Sequence, residues 1–255
     1  MRRLHLIPPV IIAHRGYRKR FPENTLAAIA AAFDIGAQMV ELDVTLTKDR
    51  RVLVLHDDTL GRTTDGRGRA CDFTLEELKR LDAGSWFAPR FAGERLPTLE
   101  EVLDLCAARG AVNIEIKAGA FEADRLADAI EALVVAAVAE RGLVDRVLIS
   151  SFDARFLARI LDRPNAPALG VLTGRRIGFD PLGLCKDLQA FSWHPDFRSV
   201  TAASIRAMHA AGIMVLPYTV NQSGDFRRLV QMGVDGVFTD DPPLLKTCIG
   251  SGSGK

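Results

Sequence analysis

Three carboxylates stand at alternating positions in two short apolar segments, and this spacing predicts a cation site. Glu41 and Asp43 flank Leu42 in "ELDV", and Glu115 is followed two residues later by Lys117 in "IEIK". Side chains two residues apart on a strand share a face, so the charged residues of each segment point together. Crowded carboxylates repel one another unless a cation holds them, and oxygen ligands without cysteine favour Mg²⁺ or Ca²⁺. The alternative is a simple ion pair with Lys117, but one lysine cannot neutralise three acids.

Two histidines end apolar segments and are candidates for proton transfer. His14 follows "VIIA" and His56 follows "VLVL". A lone histidine in a core usually serves only a hydrogen bond, but two at strand ends beside an acidic cluster suit a general base and a general acid. Arg15 offers paired donors to the non-bridging oxygens of a phosphate. Among the other histidines, His194 ends the sixth predicted strand and is a weaker candidate for lining the pocket, and His209 is expected on a helix surface.

The elements that must position these residues alternate along the chain between short apolar runs and longer segments of helical period. Helix–glycine–strand junctions such as "AHAAGIMVL" favour parallel strands with crossover helices. Eight such units predict a closed (β/α)8 TIM barrel, an α/β fold whose catalytic groups lie at the carboxyl ends of the strands. A doubly wound open sheet is the alternative, but the sequence lacks the glycine-rich phosphate loop that such a sheet normally carries after its first strand. The predicted strands are Val10–Ala13, Met39–Val44, Val112–Ile116, Val147–Ser150, Ala168–Leu172, Ala190–Trp193, Met214–Thr219 and Gly236–Phe238.

Local signals place several boundaries. Asn24 is predicted to be the N-cap of a helix over Thr25–Ile35, and another helix is predicted over Ala123–Glu140. The stretch from 49 to 96 is too long for a plain strand–helix connection. We therefore predict a small insertion after strand two, at about 57–96, lying over the barrel mouth. One domain spans 1–249, and the Gly/Ser-rich residues 250–255 are a flexible tail.

Composition argues against several function classes. The 33 basic and 32 acidic side chains give a net charge of +1, which provides no field for gripping nucleic acid or an anionic membrane. No apolar stretch approaches the ~20 residues of a transmembrane helix. The four cysteines are scattered without a C-x-x-C pair, as expected for reduced thiols in a cytosolic protein. The amino-terminal segment lacks a signal-peptide pattern, so we expect a cytoplasmic location. The sequence leaves a homo-oligomer open.

Eight motifs follow one another over nearly the whole chain. They are "AHRG" (13–16), "PENTLAA" (22–28), "ELDVTLTKDRRVLVLHDDTLGRTT" (41–64), "LDAGSWF" (81–87), "LPTLEEVL" (96–103), "IEIK" (114–117), "TVN" (219–221) and "GVDGVFTDDP" (233–242). In content, order and spacing the chain resembles the glycerophosphodiester phosphodiesterases. Because the set is long and ordered, it is far more specific than a single motif.

The resemblance implies a (β/α)8 barrel with a small insertion after strand two. It also implies a functional residue set: a divalent cation on Glu41, Asp43 and Glu115, an acid–base pair of His14 and His56, and substrate contacts from Arg15, Lys117, Tyr218 and Asn221. Tyr218 stands where the family often has tryptophan, which puts substrate preference in question but keeps an aromatic wall. The products implied are sn-glycerol 3-phosphate and an alcohol such as choline, ethanolamine, glycerol or inositol.

The expected mechanism is attack of the substrate's own 2-hydroxyl on phosphorus, which gains from its high effective concentration. A cyclic phosphate would then be opened by water. We assign His14 as base and His56 as acid, although the sequence does not fix their order, and direct attack by water stays open. A lysophospholipase D or a phospholipase C type of reaction is the enzymatic alternative. A catalytically dead barrel is disfavoured because every expected ligand and histidine is present, and an amidohydrolase is disfavoured because strand one lacks His-x-His.

Overall fold

Eight parallel strands and one short antiparallel strand form the centre of the molecule. The computed structural model describes residues 4–125, 127–176 and 178–250, so the predicted tail lies outside the described residues beyond position 250. The strands are β1 Val10–Ala13, β2 Met39–Leu46, β3 Val52–Val54, β4 Ala111–Ile116, β5 Val147–Ser151, β6 Ala168–Thr173, β7 Ser192–Pro195, β8 Met214–Val215 and β9 Gly236–Thr239. Each of the eight predicted strands overlaps one of the parallel strands.

The strand order is that of a barrel. Neighbours run β8-β7-β6-β5-β4-β2-β1-β9, all parallel, and β3 pairs antiparallel with β2 outside this path. Between β8 and β9 the connection is made by single backbone hydrogen bonds, including Phe238 N to Pro217 O at 3.0 Å and Val220 N to Phe238 O at 2.8 Å. The barrel is therefore nearly closed, and the prediction of a TIM-type α/β barrel is confirmed.

Helices cover the outside of the strands. They are α1 Leu26–Asp34, α2 Leu75–Leu78, α3 Leu99–Cys106, α4 Ile130–Glu140, α5 Ala154–Leu161, α6 Pro181–Asp187, α7 Ala202–Ala210, α8 Ser223–Met232 and α9 Pro242–Gly250. None of the helices in the described ranges is both long and apolar enough to cross a bilayer. All four cysteines are free thiols, as predicted.

Two predicted helix starts were wrong, each for a local reason. The N-cap of α1 is Thr25, whose hydroxyl accepts a hydrogen bond from Ala28 N, and not Asn24. Asn24 instead has a φ of 57° and turns its amide toward a strand residue of the barrel. Helix α4 begins at Ile130 and not at Ala123. Arg159 from α5 instead donates to the backbone carbonyls of Glu122 and Ala123, each at 2.9 Å.

Alternation along the strands separates an apolar floor from a polar mouth. Along β1 and the residue after it, the inward-facing side chains are Ile12 and then His14. Along β2 they are Met39, then Glu41 and Asp43. Because side chains on a strand alternate between faces, the same register that buries the floor aims the polar groups into the mouth. The apolar side chains that fill the floor are Leu4, Val10, Ile12, Met39, Ala111, Leu148, Ala168, Phe191, Leu216 and Phe238.

The insertion, residues 57–96, has a small hydrophobic centre of its own. Leu60, Leu78 and Leu96 are buried there against Leu53 and Leu55 from β3 and the residues after it. The β2–β3 pairing continues the barrel strand into this unit, so the insertion is fixed to the same strand that carries two of the carboxylates. Its position is thereby tied to the barrel mouth.

Gly16 allows the loop after β1 to lie directly against α1. Its φ is 80°, and a Cβ added there would stand 2.6 Å from the backbone carbonyl carbon of Ala28. Tyr17 N donates to Ala28 O at 2.9 Å, which keeps the two segments in contact. Because Arg15 directly precedes this glycine, the contact also fixes the backbone position from which the Arg15 side chain extends.

We expect Gly16→Ala to be far more damaging than Gly142→Ala. Gly142 has a φ of 65° and no atom within 4 Å of an added Cβ, so its substitution should cost only the left-handed backbone penalty of about 1–2 kcal/mol. At Gly16 overpacking against α1 adds to that penalty, for a total of about 2–5 kcal/mol. Urea unfolding of both variants measures the difference. Equal free energies of unfolding would contradict the close contact.

Candidate active site

A cleft of about 210 Å³ opens at the carboxyl ends of the strands. Its lining combines charged and polar side chains with aromatic and aliphatic ones. The lining residues are His14, Arg15, Glu41, His56, Asn113, Glu115, Lys117, Phe152, Leu172, Tyr218, Thr219 and Phe238. Most of the residues predicted from sequence therefore meet in one place.

The three predicted carboxylates converge at the floor of this cleft. One oxygen from each of Glu41, Asp43 and Glu115 lies within 4.8 Å of the others. The parallel register of β2 and β4 places Asp43 directly beside Glu115. Only 2% of the Glu41 side chain and 1% of the Asp43 side chain are exposed, so little water reaches them.

The pKa shifts of these three carboxylates indicate that their negative charges repel one another. Burial, together with Asp43 and Glu115, raises the pKa of Glu41 well above its usual value. Burial and the Asp43 charge raise the pKa of Glu115 to about 7. Burial also pushes the pKa of Asp43 upward, but Arg15 and Lys117 outweigh it, and the net shift is downward. Three negative charges are thus not stable together here without further compensation.

The donor set suits a hard divalent cation. Glu41 Oε1 is buried and has no hydrogen-bond partner, an arrangement that is costly unless something else binds the oxygen. All the ligand atoms offered are carboxylate oxygens, which Mg²⁺ and Ca²⁺ prefer. We conclude that Glu41, Asp43 and Glu115 form a group that can hold such an ion.

Two cationic side chains, which also line the cleft, border the carboxylates. Arg15 Nε lies 3.2 Å from Asp43 Oδ2, and its backbone N donates to Glu41 Oε2 at 2.8 Å. Lys117 Nζ lies 2.9 Å from Glu115 Oε1 and 3.5 Å from Asp43 Oδ1. Both cations are mostly buried but reach the cleft, so they can contact an anionic group bound above the acidic trio.

His14 is held from behind by a carboxylate at the opposite end of the sequence. Its Nδ1 lies 2.7 Å from Asp240 Oδ1, and its Nε2 lies 4.0 Å from Glu41 Oε2. Asn221 donates through Nδ2 to Asp240 Oδ2 at 2.8 Å. Burial lowers the pKa of His14, and the hydrogen bond to Asp240 opposes this effect. The Nδ1 contact directs Nε2 into the cleft.

His56 has the same arrangement on the other side. Its Nδ1 lies 2.5 Å from Asp57 Oδ1, so Nε2 is the nitrogen left for the cleft. Burial lowers the pKa of His56, while the charge of Asp43 opposes the shift. With one imidazole directly after β1 and one from the residues after β3, the cleft has two oriented groups that can exchange protons.

Aromatic residues form the remaining wall. Tyr218 lines the cleft and donates its hydroxyl to Thr173 O at 3.0 Å, and its ring meets Phe152 edge-on with centroids 5.9 Å apart. Phe152 is 47% exposed, which leaves its ring available to a ligand. His194, considered as a pocket residue, is instead fully buried beneath the cleft and bonds Ser192 Oγ through Nε2 at 2.8 Å. Burial lowers its pKa to about 3, so it is a neutral core histidine.

Several supporting residues were missed at the sequence level. Asp57 and Asp240 each contact a histidine, and Asn24 donates to Asp43 Oδ2 at 3.0 Å. Asp57 could have been suspected because it directly follows His56. Asp240 could have been suspected because it follows the last strand, where the mouth lies. Asn221, predicted to contact substrate, contacts Asp240 in this structure.

Replacing Glu115 by glutamine should weaken cation binding. This effect can be measured without an activity assay. Adding Mg²⁺ or Ca²⁺ stabilises a protein that binds it only in the folded state, so the Tm of the wild type should rise with ion concentration. Glu115→Gln removes one ligand charge and should need at least about tenfold more ion for the same rise. Differential scanning calorimetry measures both. Glu140→Gln, at an exposed acid of α4, is the matched control and should respond as the wild type does. An unchanged ion response in Glu115→Gln would refute the site.

Comparisons with known proteins agree with the geometry. A family model described as "Glycerophosphoryl diester phosphodiesterase family" matches residues 14–244. A glycerophosphodiester phosphodiesterase of Caldanaerobacter subterraneus is 40% identical over 245 residues, which is 95% of this chain and 98% of that protein. One from Bacillus altitudinis is 39% identical over 236 residues, covering 91% and 94%.

Solved structures lead to the same family. A phosphodiesterase of Oleispira antarctica, in complex with the product sn-glycerol-3-phosphate, aligns with a TM-score of 0.87 and 32% identity, covering 95% of this chain and 97% of that one. A glycerophosphodiester phosphodiesterase from Agrobacterium tumefaciens aligns with a TM-score of 0.81 and 28% identity, covering 93% and 99%. Together, the matched family model, the relatives and the cleft show that the chain belongs to the glycerophosphoryl diester phosphodiesterase family of enzymes.

Proposed function

We propose that this protein hydrolyses glycerophosphodiesters to sn-glycerol 3-phosphate and an alcohol, with Mg²⁺ or Ca²⁺ as cofactor. The observation that carries the proposal is one cleft holding three converging carboxylates, two cations and two carboxylate-oriented imidazoles. Family membership and the structure of a similar phosphodiesterase in complex with the product sn-glycerol-3-phosphate support the choice of substrate. A cytoplasmic location and a homo-oligomer stay predictions.

Charge is the first obstacle to this reaction, because a phosphodiester is an anion and resists nucleophiles. Arg15 and Lys117 reach the cleft and would contact its non-bridging oxygens, stabilising charge that grows as phosphorus is attacked. A divalent ion on Glu41, Asp43 and Glu115 would act as a Lewis acid toward a phosphoryl oxygen. Arg15 and Lys117 also contact these acidic side chains, so the same two cations would interact with both the carboxylates and the substrate phosphate.

The two histidines would divide the proton transfers. His14 Nε2 takes the proton of the glycerol 2-hydroxyl as its oxygen bonds to phosphorus. His56 Nε2 gives a proton to the departing alkoxide as the bond from phosphorus to the bridging oxygen breaks. In the second step water opens the cyclic phosphate, with the roles of the two imidazoles reversed. The carboxylates behind them, Asp240 and Asp57, fix which nitrogen faces the substrate.

The aromatic wall would contact the uncharged part of the substrate. Tyr218 and Phe152 line the cleft together with the charged groups and would offer ring surface to the carbon skeleton. Tyr218 keeps its hydroxyl on Thr173 O, so the ring is held in one orientation. Asn221 contributes indirectly in this proposal, by holding Asp240 against His14.

Product analysis tests the proposal directly. Glycerophosphocholine incubated with the enzyme should yield choline and sn-glycerol 3-phosphate, and EDTA should abolish turnover until Mg²⁺ or Ca²⁺ is restored. Phosphorus NMR with a choline assay identifies the products. Formation of phosphocholine would indicate a phospholipase C type of cleavage. Cleavage of lysophosphatidylcholine in preference to glycerophosphocholine would indicate a lysophospholipase D, and full activity in EDTA would exclude the metal-dependent reaction.

A substrate analogue that lacks the 2-hydroxyl tests the cyclic route. Phosphocholine esterified to 1,3-propanediol keeps the phosphodiester, the leaving alcohol and a terminal hydroxyl, but it lacks the 2-hydroxyl that would close a five-membered cyclic phosphate. If the 2-hydroxyl attacks phosphorus, turnover of the analogue should fall by at least about 10³-fold, because the intramolecular advantage is lost. Steady-state kinetics on both esters measures the ratio. Comparable rates would favour direct attack by water.

A further inference from the structure

An arginine of the insertion joins two carboxylates that belong to different parts of the fold. Arg62 donates from Nη2 to Asp57 Oδ1 at 3.1 Å, and its Nε also bonds Asp57. The same guanidinium donates from Nη1 and Nη2 to both oxygens of Glu23, at 3.0 and 2.7 Å. One planar guanidinium therefore donates hydrogen bonds to two carboxylates at once. A lysine ammonium could not bind both with the same geometry.

Glu23 is a fixed anchor for this contact. Only 3% of its side chain is exposed, and Arg15 and Arg18 also bind it, at 2.8 and 3.0 Å. These arginines, with Arg62, outweigh the effect of burial and lower the pKa of Glu23 to about 2. The three arginines thus favour the ionised form of this carboxylate, which lies in the loop between β1 and α1.

Asp57 depends on this anchor for its position. Its side chain is 26% exposed, and it follows the short strand β3 and not one of the barrel strands. Among the described residues, its side chain is bonded to His56 on one side and to Arg62 on the other. Removing Arg62 would leave the carboxylate free to turn toward solvent, and the His56 ring would lose its fixed support.

We propose that Arg62 is a positioning residue for the proton transfer from His56 to the leaving alcohol. The contact runs from Glu23 through Arg62 and Asp57 to His56 Nδ1, and it connects the insertion to the barrel at the point where the proton is delivered. This inference rests on the proposed function and adds the residue that sets the geometry of one of its two imidazoles.

The chemistry of the leaving group makes the role measurable. When phosphorus releases an alkoxide such as that of choline, the bridging oxygen keeps the electron pair of the broken bond and needs a proton from His56. When it releases p-nitrophenolate, the anion is stable and needs none. A misplaced His56 should therefore slow the first reaction and spare the second.

The test compares glycerophosphocholine with the p-nitrophenyl ester of sn-glycerol 3-phosphate. Arg62→Gln should lower kcat/KM on glycerophosphocholine by about 10- to 100-fold, and on the p-nitrophenyl ester by less than about threefold. His56→Ala sets the limit and should show the same selectivity with a larger loss. Arg67→Gln, at an exposed arginine of the same insertion, is the matched control and should resemble the wild type on both esters.

The ratio of the two rates makes the outcome independent of folding. Both esters are assayed on one preparation, so a partly unfolded variant loses equally on each and the ratio does not move. Equal losses in Arg62→Gln, or no loss at all, would overturn the positioning role while leaving the proposed function standing. A wild type inactive on both esters would overturn the proposed function itself. Arg62→Lys, which keeps the charge but not the fork, should fall between Arg62→Gln and the wild type.

Discussion

Repulsion among three buried carboxylates is the constraint around which the mouth of this barrel is organised. Glu41, Asp43 and Glu115 lie too close together and too far from water to be ionised unassisted, as the raised pKa values of the two glutamates indicate. Arg15 and Lys117 are placed to offset part of that charge. The negative charge that they leave uncompensated would favour a cation bound to these carboxylates.

The acidic centre could be predicted from sequence because strand geometry is strictly periodic. Glu41 and Asp43 alternate with aliphatic residues, and a period of two leaves only one inward-facing set that also buries Met39. The eight strands were recognisable for a related reason, since each is a short apolar run followed by a helix of a different period. The positions of His14 and Lys117 follow from the same rule, because each ends an inward-facing series on a barrel strand.

What escaped prediction depends on contacts between distant segments. Asp240 meets His14 across 226 positions of sequence, and Arg62 meets Glu23 across 39. No local pattern encodes such pairings, which exist only once β9 lies beside β1 and the insertion lies over the mouth. Asn24 shows a subtler failure, since the residue type fits an N-cap but the adjacent Thr25 caps the helix and releases Asn24 to bind Asp43.

The pairing of the first and last strands has a consequence for when the protein becomes an enzyme. His14 is made early in synthesis, but the carboxylate that orients it is among the final residues of the barrel. A ribosome-bound chain whose β9 has not yet emerged could not place Asp240 against His14. The orientation of the His14 ring would therefore be set only after β9 has been synthesised and has paired with β1.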